Sequence, residues 1–157
     1  MKKIYGNYLI ALFSFIFLLS SCSNDDTIST KSIEGHWIYV GTKAEVYVTD
    51  PSLQAIVKDY IEKRNKTYQV SYEFKNDKTY YYYRNYAEPI KGVYKMLDEN
   101  CSKMDDQRGL KTVIRESDSI FVISDMKEEV VKELNIDESK IIKVTAKDSF
   151  NRGLYTN

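Results

Sequence analysis

Few residues of this chain have the chemistry of nucleophiles or strong metal ligands: it contains two cysteines, Cys22 and Cys101, and one histidine, His36. A cysteine nucleophile needs a neighbouring base, but His36 is distant from Cys101 in the sequence and falls in a predicted strand. Zinc sites combine three or four histidine, cysteine or carboxylate ligands. We therefore expect Cys101 to be an incidental loop cysteine. We expect His36 to make a local hydrogen bond in a strand rather than to bind haem or a metal.

Recognised catalytic motifs are missing from the sequence. It has no glycine-rich phosphate loop, no Gly-x-Ser-x-Gly elbow and no Cys–His or Ser–His pair in a recognisable context. The acidic run from Asp98 to Asp106 lacks the alternating ligands and central glycine of a calcium loop, so we expect a solvated hairpin tip there. The sequence predicts a protein that is not an enzyme and has neither cofactor nor metal. Carboxylates that the fold brings together from distant positions are the open alternative.

Residues 1–21, which precede Cys22, fall into three parts of different composition. Met1-Lys2-Lys3 is basic, residues 8–19 are almost entirely apolar, and Ser20 and Ser21 are small. This order is that of a secretion signal peptide. The apolar run is shorter than the roughly 18–20 residues that cross a bilayer, so a permanent transmembrane helix is the less favoured alternative. We predict that residues 1–21 are removed by cleavage between Ser21 and Cys22.

Leu19-Ser20-Ser21-Cys22 looks like a lipobox, the processing site of bacterial lipoproteins. Only a thiol can form the thioether to diacylglycerol, and two or three acyl chains hold a protein durably at a bilayer. The predicted partner of Cys22 is therefore the lipid bilayer. Once Cys22 is acylated, Cys101 is the only thiol left, which excludes an intramolecular disulfide.

Residues 22–32 are predicted to be the acylated cysteine with a flexible polar tether, and residues 33–157 to form one domain. The run Ser23-Asn24-Asp25-Asp26 resembles a surface-export signal found after the acylated cysteine of some Gram-negative lipoproteins. It predicts attachment to the outer membrane, with the cell surface slightly favoured over the periplasmic face. A plain solvated spacer is the alternative interpretation of the same four residues.

The charge balance argues against a nucleic-acid partner. The chain has 23 Lys and Arg and 23 Asp and Glu, and removal of Lys2 and Lys3 leaves 21 basic against 23 acidic residues. Nucleic-acid binders usually carry a basic stripe that releases counterions from phosphates. Here charges of both signs alternate along the chain, so we predict no nucleic-acid binding.

Beyond Ile33 the composition is that of a mostly β domain, because aromatic residues, 13% of the chain, suit pleated and half-buried surfaces. Period-two alternation and turn residues predict strands at 35–40, 67–74, 79–86, 90–97, 111–115, 119–124 and 140–147. Sequential antiparallel pairing is the simplest topology for such a series.

Two amphipathic helices are predicted within this series of strands. Asp50 is a good N-cap for a helix that starts at Pro51 and ends near Asn65. Its predicted apolar face contains Leu53, Ile56, Val57, Tyr60 and Ile61. A second helix is predicted over residues 126–135, with Asp125 and Glu128 in a capping-box pattern. That helix is expected to act as a lid or plug at one end of the sheet.

The most unusual stretch is Tyr80-Tyr81-Tyr82-Tyr83, followed by Tyr86. Neighbouring side chains of a strand point to opposite faces, so one pair of these rings must point away from the core. We therefore name these tyrosines as a candidate binding surface for a sugar or a partner protein. The alternative is that they are ordinary strand residues, covered or singly exposed.

Three short segments carry a resemblance to a known family. Ile33-Glu34-Gly35-His36-Trp37 resembles the Gly-x-Trp start of lipocalin-like barrels. The segments from Tyr72 to Tyr80 and from Gly92 to Tyr94 resemble two later strands of small lipocalin-like lipoproteins. The resemblance implies an antiparallel lipocalin-like β-barrel, with the Pro51 helix as an insertion.

The resemblance also implies roles for single residues. It places Trp37 at the closed end of the barrel beneath a C-terminal arginine, for which Arg152 is the candidate, with Gly35 letting the chain bend close to the ring. Lys78 stands where these lipoproteins often have a glycine in the turn. The alternative fold is an α+β curved sheet around the Pro51 helix, as in cystatin-like or NTF2-like domains.

The function expected from these observations is that of a membrane-anchored, non-catalytic binding module. Its partner would be a small apolar or amphipathic ligand, or a protein of the cell envelope. The alternative is a structural or accessory subunit of an envelope complex with a solid barrel. Barrels of about eight strands are either filled by side chains or hold one small ligand, and the sequence does not distinguish the two.

Overall fold

The computed structural model describes residues 32–105 and 107–153. The predicted signal peptide, Ser21, Cys22 and the tether up to residue 31 lie outside the described residues. In the described part, eight antiparallel strands follow one another in chain order, and the last pairs with the first to close a barrel. The fold is mostly β, as predicted, and the closed barrel rather than the open curved sheet is the correct alternative.

Short connections join consecutive strands, except for two connections that contain helices. In chain order they are β1 (Gly35–Val48), β2 (Val70–Phe74), β3 (Thr79–Arg84), β4 (Ile90–Met96), β5 (Cys101–Asp105), β6 (Lys111–Glu116), β7 (Ser119–Asp125) and β8 (Ile141–Arg152). Helix α1 (Pro51–Lys63) connects β1 to β2, and helix α2 (Lys127–Leu134) with a 3₁₀ turn (Glu138–Lys140) connects β7 to β8.

Strand β1 extends well beyond the predicted strand 35–40, and a β-bulge explains why the sequence pattern missed its second half. Tyr39 pairs with Phe150, and the next pair is Gly41 with Ser149, which leaves Val40 as the extra residue. Before the bulge the odd-numbered side chains face inward, and after it the even-numbered ones do. A bulge shifts the inside–outside alternation by one residue, which hides the second half of β1 from any search for a single period-two pattern.

The segment around Cys101 corrects one prediction. It was expected to lie in a polar loop from Asp98 to Asp106, but residues 101–105 form β5 and pair with β4 and β6. Ser102 and Met104 point inward and are fully buried. Charged residues alternate with these two positions and face outward, so the strand looks polar in sequence although its inner face is not. Within the described part of that run, Asp98, Glu99 and Asn100 form the hairpin tip.

Helix α1 begins at Pro51 after the predicted N-cap, and it packs an apolar face against the barrel. The Asp50 carboxylate accepts a hydrogen bond from the backbone N–H of Ser52, which satisfies a donor that the first helical turn leaves unpaired. Val57 and Ile61 are fully buried against the upper part of the barrel, whereas Ile56, predicted on the same face, is 54% exposed. The buried face is thus narrower than the predicted one.

Helix α2 is shorter than the predicted residues 126–135. Met126 is its N-cap and makes no side-chain cap bond, so the capping box predicted from Asp125 and Glu128 does not form. The Asp125 carboxylate instead accepts a bond from the Lys127 backbone N–H. Val130 is fully buried, so the helix packs on the same upper core as α1.

The described residues form two clusters of buried side chains, one at each end of the barrel. The lower cluster fills the barrel around Trp37, and the upper cluster lies between the extended β1–β8 ribbon and the two helices. The two helices therefore distinguish the upper end of the barrel from the lower end.

Within the described ranges, no helix combines the length and hydrophobicity that crossing a membrane requires.

Candidate functional site

The lower end of the barrel is closed by a contact that the resemblance implied. The Arg152 guanidinium lies 4.7 Å from the centroid of the fully buried Trp37 ring, a cation–π distance. Arg152 also donates a hydrogen bond of 2.9 Å to the Ser32 carbonyl. Burial lowers the pKa of Arg152. The described part of the chain therefore begins at the closed end of the barrel.

Glycine is required beside this arginine. Gly35 has a φ of +120°, and a Cβ there would lie 3.2 Å from the Arg152 guanidinium. Positive φ is a conformation that side chains disfavour. In the turn between β2 and β3, Lys78 also has a positive φ, 66°. The backbone of the turn is therefore one that glycine would adopt more easily.

At the opposite end the barrel opens into a cavity of about 540 Å³. Small-molecule sites usually occupy roughly 300–1,000 Å³, so the size suits a small ligand. Its walls come from the C-terminal end of α1, the start of α2 and the residues that follow β5. The floor comes from inward-facing side chains of β2, β3 and β8. We call this cavity the mouth cavity.

The floor of the mouth cavity is aromatic. Tyr72 and Phe150 are 3% and 1% exposed, and the Tyr72 ring lies 5.1 Å from both Tyr82 and Phe150. Burial raises the pKa of both Tyr72 and Tyr82 above the usual value for tyrosine. These rings stay neutral at physiological pH and offer flat apolar surfaces, with hydroxyl groups as polar handles.

One wall of the cavity is held by an ion pair between α1 and β8. Arg64 donates a hydrogen bond of 2.9 Å to the Asp148 carboxylate, which also accepts one from the Thr42 hydroxyl. The Arg64 and Asp148 side chains are only 18% and 10% exposed. Burial raises the pKa of Asp148, and Arg64 and Thr42 only partly offset this effect. The pair thus fixes the end of α1 over the barrel.

The second helix joins the same wall. Glu129 of α2 accepts a 3.0 Å hydrogen bond from the Tyr60 hydroxyl of α1, and it lies 3.8 Å from Arg64. Burial, followed by the interaction with Glu129, raises the pKa of Tyr60 to about 12. The two helices are thereby linked across the upper end, as a lid or plug would be.

Three further cations line the mouth cavity. The Arg108 guanidinium lies 3.7 Å from the Tyr82 ring centroid and 5.9 Å from that of Tyr72. The Arg84 guanidinium lies 3.7 Å from the Tyr68 ring at the rim. The Lys111 ammonium is buried and close enough to oppose the upward shift of the Asp148 pKa. The cavity therefore combines aromatic faces with charged groups of both signs.

The tyrosine run is divided between two faces of the sheet. Tyr80 is fully buried in the barrel and so cannot contribute to an outer surface, and Tyr82 points into the mouth cavity. Tyr81 and Tyr83 are half-buried on the outer face, where the Tyr83 hydroxyl donates a 2.9 Å bond to Glu73. Tyr86 is 99% exposed in the loop after β3.

Gly92, in one of the segments that carry the resemblance, lies against the ring of Tyr80 on the neighbouring strand. Gly92 pairs with Tyr80 across β3 and β4. A Cβ on Gly92 would lie 2.5 Å from the ring carbon Cζ of Tyr80. The ring of Tyr80 therefore lies directly over the glycine, which is how a ring of this size fits inside the barrel.

The other residues singled out from the sequence do not join the cavity. His36 lies on β1 opposite Glu73, and Cys101 is a half-buried free cysteine at the start of β5. No group of three or more His, Cys, Asp or Glu side chains in residues 32–105 and 107–153 is placed to hold a metal ion.

Sequence patterns did not point to Arg64, Arg108, Lys111 or Asp148. These four are charged residues in ordinary polar surroundings of the chain, and only the barrel closure and the helix connections bring them together. A weak signal was present for Asp148, because it occupies an inward position of β8 between Ala146 and Phe150. The predicted strand there ended at Lys147, one residue before Asp148, whereas β8 continues to Arg152.

Comparisons with protein-family models, with curated proteins and with solved structures gave no match for this chain.

Proposed function

We propose that this protein is a membrane-anchored, non-catalytic binding module that holds a small amphipathic molecule in its mouth cavity. The observation that carries the proposal is the cavity of about 540 Å³ with an aromatic floor and charged walls. Small-molecule sites combine aromatic and apolar surface with polar groups that orient the ligand, and here the charged groups are numerous. The ligand places its apolar part against Tyr72, Tyr82 and Phe150, and its polar part toward the charged wall.

The point of attachment supports this orientation. The chain enters the barrel at the closed end, where Ser32 contacts Arg152, and the mouth cavity is at the opposite end. If Cys22 carries the lipid, the ten or so residues of tether reach the domain from the side away from the cavity. The mouth can then face the aqueous phase and receive a ligand from it.

Blocking the cavity tests the binding proposal. Ser124 lines the cavity and is 7% exposed, so Ser124→Phe should fill space that a ligand needs. Ser149→Phe is the matched control, since Ser149 faces outward on β8. Titration with aromatic fluorophores, neutral and charged, should give saturable binding to the wild type and the control, and much weaker binding to Ser124→Phe. The melting temperature, followed by circular dichroism, shows that both variants are folded.

The proposal fails if no such fluorophore binds saturably to the wild type, or if a folded Ser124→Phe variant binds as well as the wild type. The anchoring part has its own test. Radiolabelled palmitate should enter the wild-type protein and not a Cys22→Ser variant, which should also leave the membrane fraction. Equal labelling of both proteins, or none of the wild type, contradicts lipid attachment at Cys22.

A second candidate function, as an accessory subunit of an envelope complex, draws support from the filled lower half of the barrel. In that case the outer face acts, and Tyr81 and Tyr83, half-buried beside Glu73 and Lys91, are its most suitable residues. Pull-downs from membranes with Tyr81→Ser and Tyr83→Ser together should then lose a partner that the wild type retains. Equal recovery by both proteins argues against this function.

A further inference from the structure

We propose that the closed end of the barrel contains a second binding site, where Arg115 and Arg152 hold the phosphate group of a small molecule or of a lipid headgroup. The site is separate from the mouth cavity and does not depend on the function of that cavity. The inference combines a buried arginine that has no carboxylate beside it, a second arginine close to it and an unpaired hydroxyl on the same inner face.

Arg115 is a buried charge inside the barrel. It occupies an inward position of β6 and is only 8% exposed. Its Nε is buried and makes no hydrogen bond, and its guanidinium forms no ion pair with a carboxylate of residues 32–105 or 107–153. An arginine is almost never buried to this degree unless a partner balances its charge. An anion from outside the described chain would be such a partner.

Arg152 brings a second guanidinium to the same end. Arg115 pairs with Ile120 of β7, which pairs in turn with Phe150 of β8. Arg152 follows Phe150 by two residues on that strand. Burial and then the nearby Arg115 lower the pKa of Arg152, so the two positive charges repel each other. A phosphate group between them would replace this repulsion by two attractions.

The two side chains carry donors of the kind that bind phosphate. The planar guanidinium has five N–H donors whose spacing matches phosphate oxygens. Among the described residues, Arg152 uses one of its donors, in the bond of 2.9 Å to the Ser32 carbonyl. That bond and the neighbouring Trp37 ring, 4.7 Å away, hold the guanidinium in position. The site is therefore organised before any ligand arrives.

Ser102 adds an unpaired hydroxyl to the same inner face. The residue is fully buried, and its Oγ makes no hydrogen bond within the described part of the chain. Ser102 pairs with Val113, two residues before Arg115 on β6. Buried polar groups without a partner are destabilising and uncommon. A single acceptor inside the closed end would satisfy both this hydroxyl and the Arg115 Nε.

The carboxylates of this end do not take the place of such an anion. Those at the tips of the β4–β5 and β6–β7 hairpins are exposed: Asp98, Glu99, Glu116 and Asp118. Asp118 raises the pKa of Arg152, but water screens the interactions of exposed charges. Glu34 pairs with Lys78 at 3.1 Å. The buried guanidinium of Arg115 thus keeps its uncompensated charge.

A phosphate group can reach this end from two sources. One is a free phosphate compound in solution. The other is a lipid headgroup, because Ser32 lies at the closed end beside Arg152. If Cys22 carries the lipid, ten residues of chain separate it from Ser32, a span of at most roughly 35 Å.

The fluorescence of the single tryptophan, Trp37, reports on the site because Arg152 lies 4.7 Å from its ring. The purified full chain, in dodecyl maltoside and phosphate-free buffer, is titrated with inorganic phosphate at constant ionic strength or with phosphatidylglycerol added to the micelles. We expect a saturable shift of the emission and a rise of the urea midpoint in at least one titration. A response to phosphatidylglycerol alone identifies a headgroup site, and a response to inorganic phosphate identifies a site for free phosphate.

Arg115→Met removes the buried charge and should weaken the affinity for phosphate about tenfold or more. Lys95→Met, an exposed outward change on β4, is the matched control and should leave the affinity unchanged. If Arg115→Met does not fold, Arg152→Gln gives the same test through the urea midpoint. Ser124→Phe, which fills the mouth cavity, should keep the phosphate response, so each proposal can fail separately.

The absence of a response in both titrations overturns the proposal. So does a phosphate affinity that Arg115→Met, or Arg152→Gln in its place, leaves equal to that of Lys95→Met. A response that Ser124→Phe removes would place the phosphate in the mouth cavity and overturn the closed-end site as well.

Discussion

Replacing Gly92 by alanine should destabilise the barrel through a single contact. The new Cβ would lie 2.5 Å from Cζ, 2.6 Å from Oη and 2.7 Å from Cε1 of Tyr80, whereas ordinary contacts begin at 3.4 Å. The ring must therefore move by nearly an ångström. A flexible side chain could move so far at little cost, but Tyr80 is fully buried and packed 5.6 Å from the Phe74 ring and 5.8 Å from the Tyr72 ring.

The expected cost follows from overpacking of a closed core. An extra methyl group in a well-packed interior costs about 1–3 kcal/mol, and the absence of space around Tyr80 places Gly92→Ala near the upper value. Urea denaturation of the purified protein measures the free energy of unfolding. The matched control is Gly41→Ala, where a Cβ meets no atom within 4 Å and φ is not positive. That variant should equal the wild type or gain up to about 1 kcal/mol.

A double variant identifies the contact responsible. With Tyr80→Leu in the background, the ring that clashes with the new methyl group is gone, so Gly92→Ala should cost at least about 1 kcal/mol less than it does in the wild type. If Gly92→Ala and Gly41→Ala have the same unfolding free energy, the explanation of Gly92 by the Tyr80 ring is wrong. An unchanged cost of Gly92→Ala in the Tyr80→Leu background would refute it as well.

Three further predictions concern single polar contacts. Burial raises the pKa of Asp148 above its usual 3.8, so the unfolded chain loses this proton first as pH rises. The unfolding free energy of the wild type should therefore decline relative to that of Asp148→Asn as the pH rises above about 4, and urea titrations in which the variant becomes less stable relative to the wild type over that rise would contradict this. Arg152→Gln removes the cation over Trp37 and the bond to Ser32. It should cost about 1–2 kcal/mol and shift the fluorescence of the single tryptophan, while an unchanged emission spectrum would count against the stacking. Asp50→Ala removes the α1 cap and should lower the unfolding free energy by about 1 kcal/mol, whereas Asp59→Ala, an exposed change within the same helix, should cost less.

The sequence alone determined the class of the fold because local patterns report local structure. Alternation within a strand and capping at Asp50 depend on residues close together in the chain, and both predictions are confirmed for β2 and α1. The pattern failed where the structure departs from regularity. The bulge at Val40 reverses the alternation of β1, and the two inward residues of β5 are too few to stand out among charged neighbours.

The candidate ligand site was decided by the tertiary structure. Arg64 ends a helix, Arg108 follows β5, and Asp148 lies near the end of β8, so no spacing in the sequence relates them. They meet because the barrel closes through β1 and β8 and because α1 returns over its open end. The sequence likewise required a tyrosine pair to face away from the core without determining which one. The register of β3 against β4, which places Tyr80 over Gly92, settled that question: steric fit inside a closed barrel selects the register, and a linear pattern contains no information about fit.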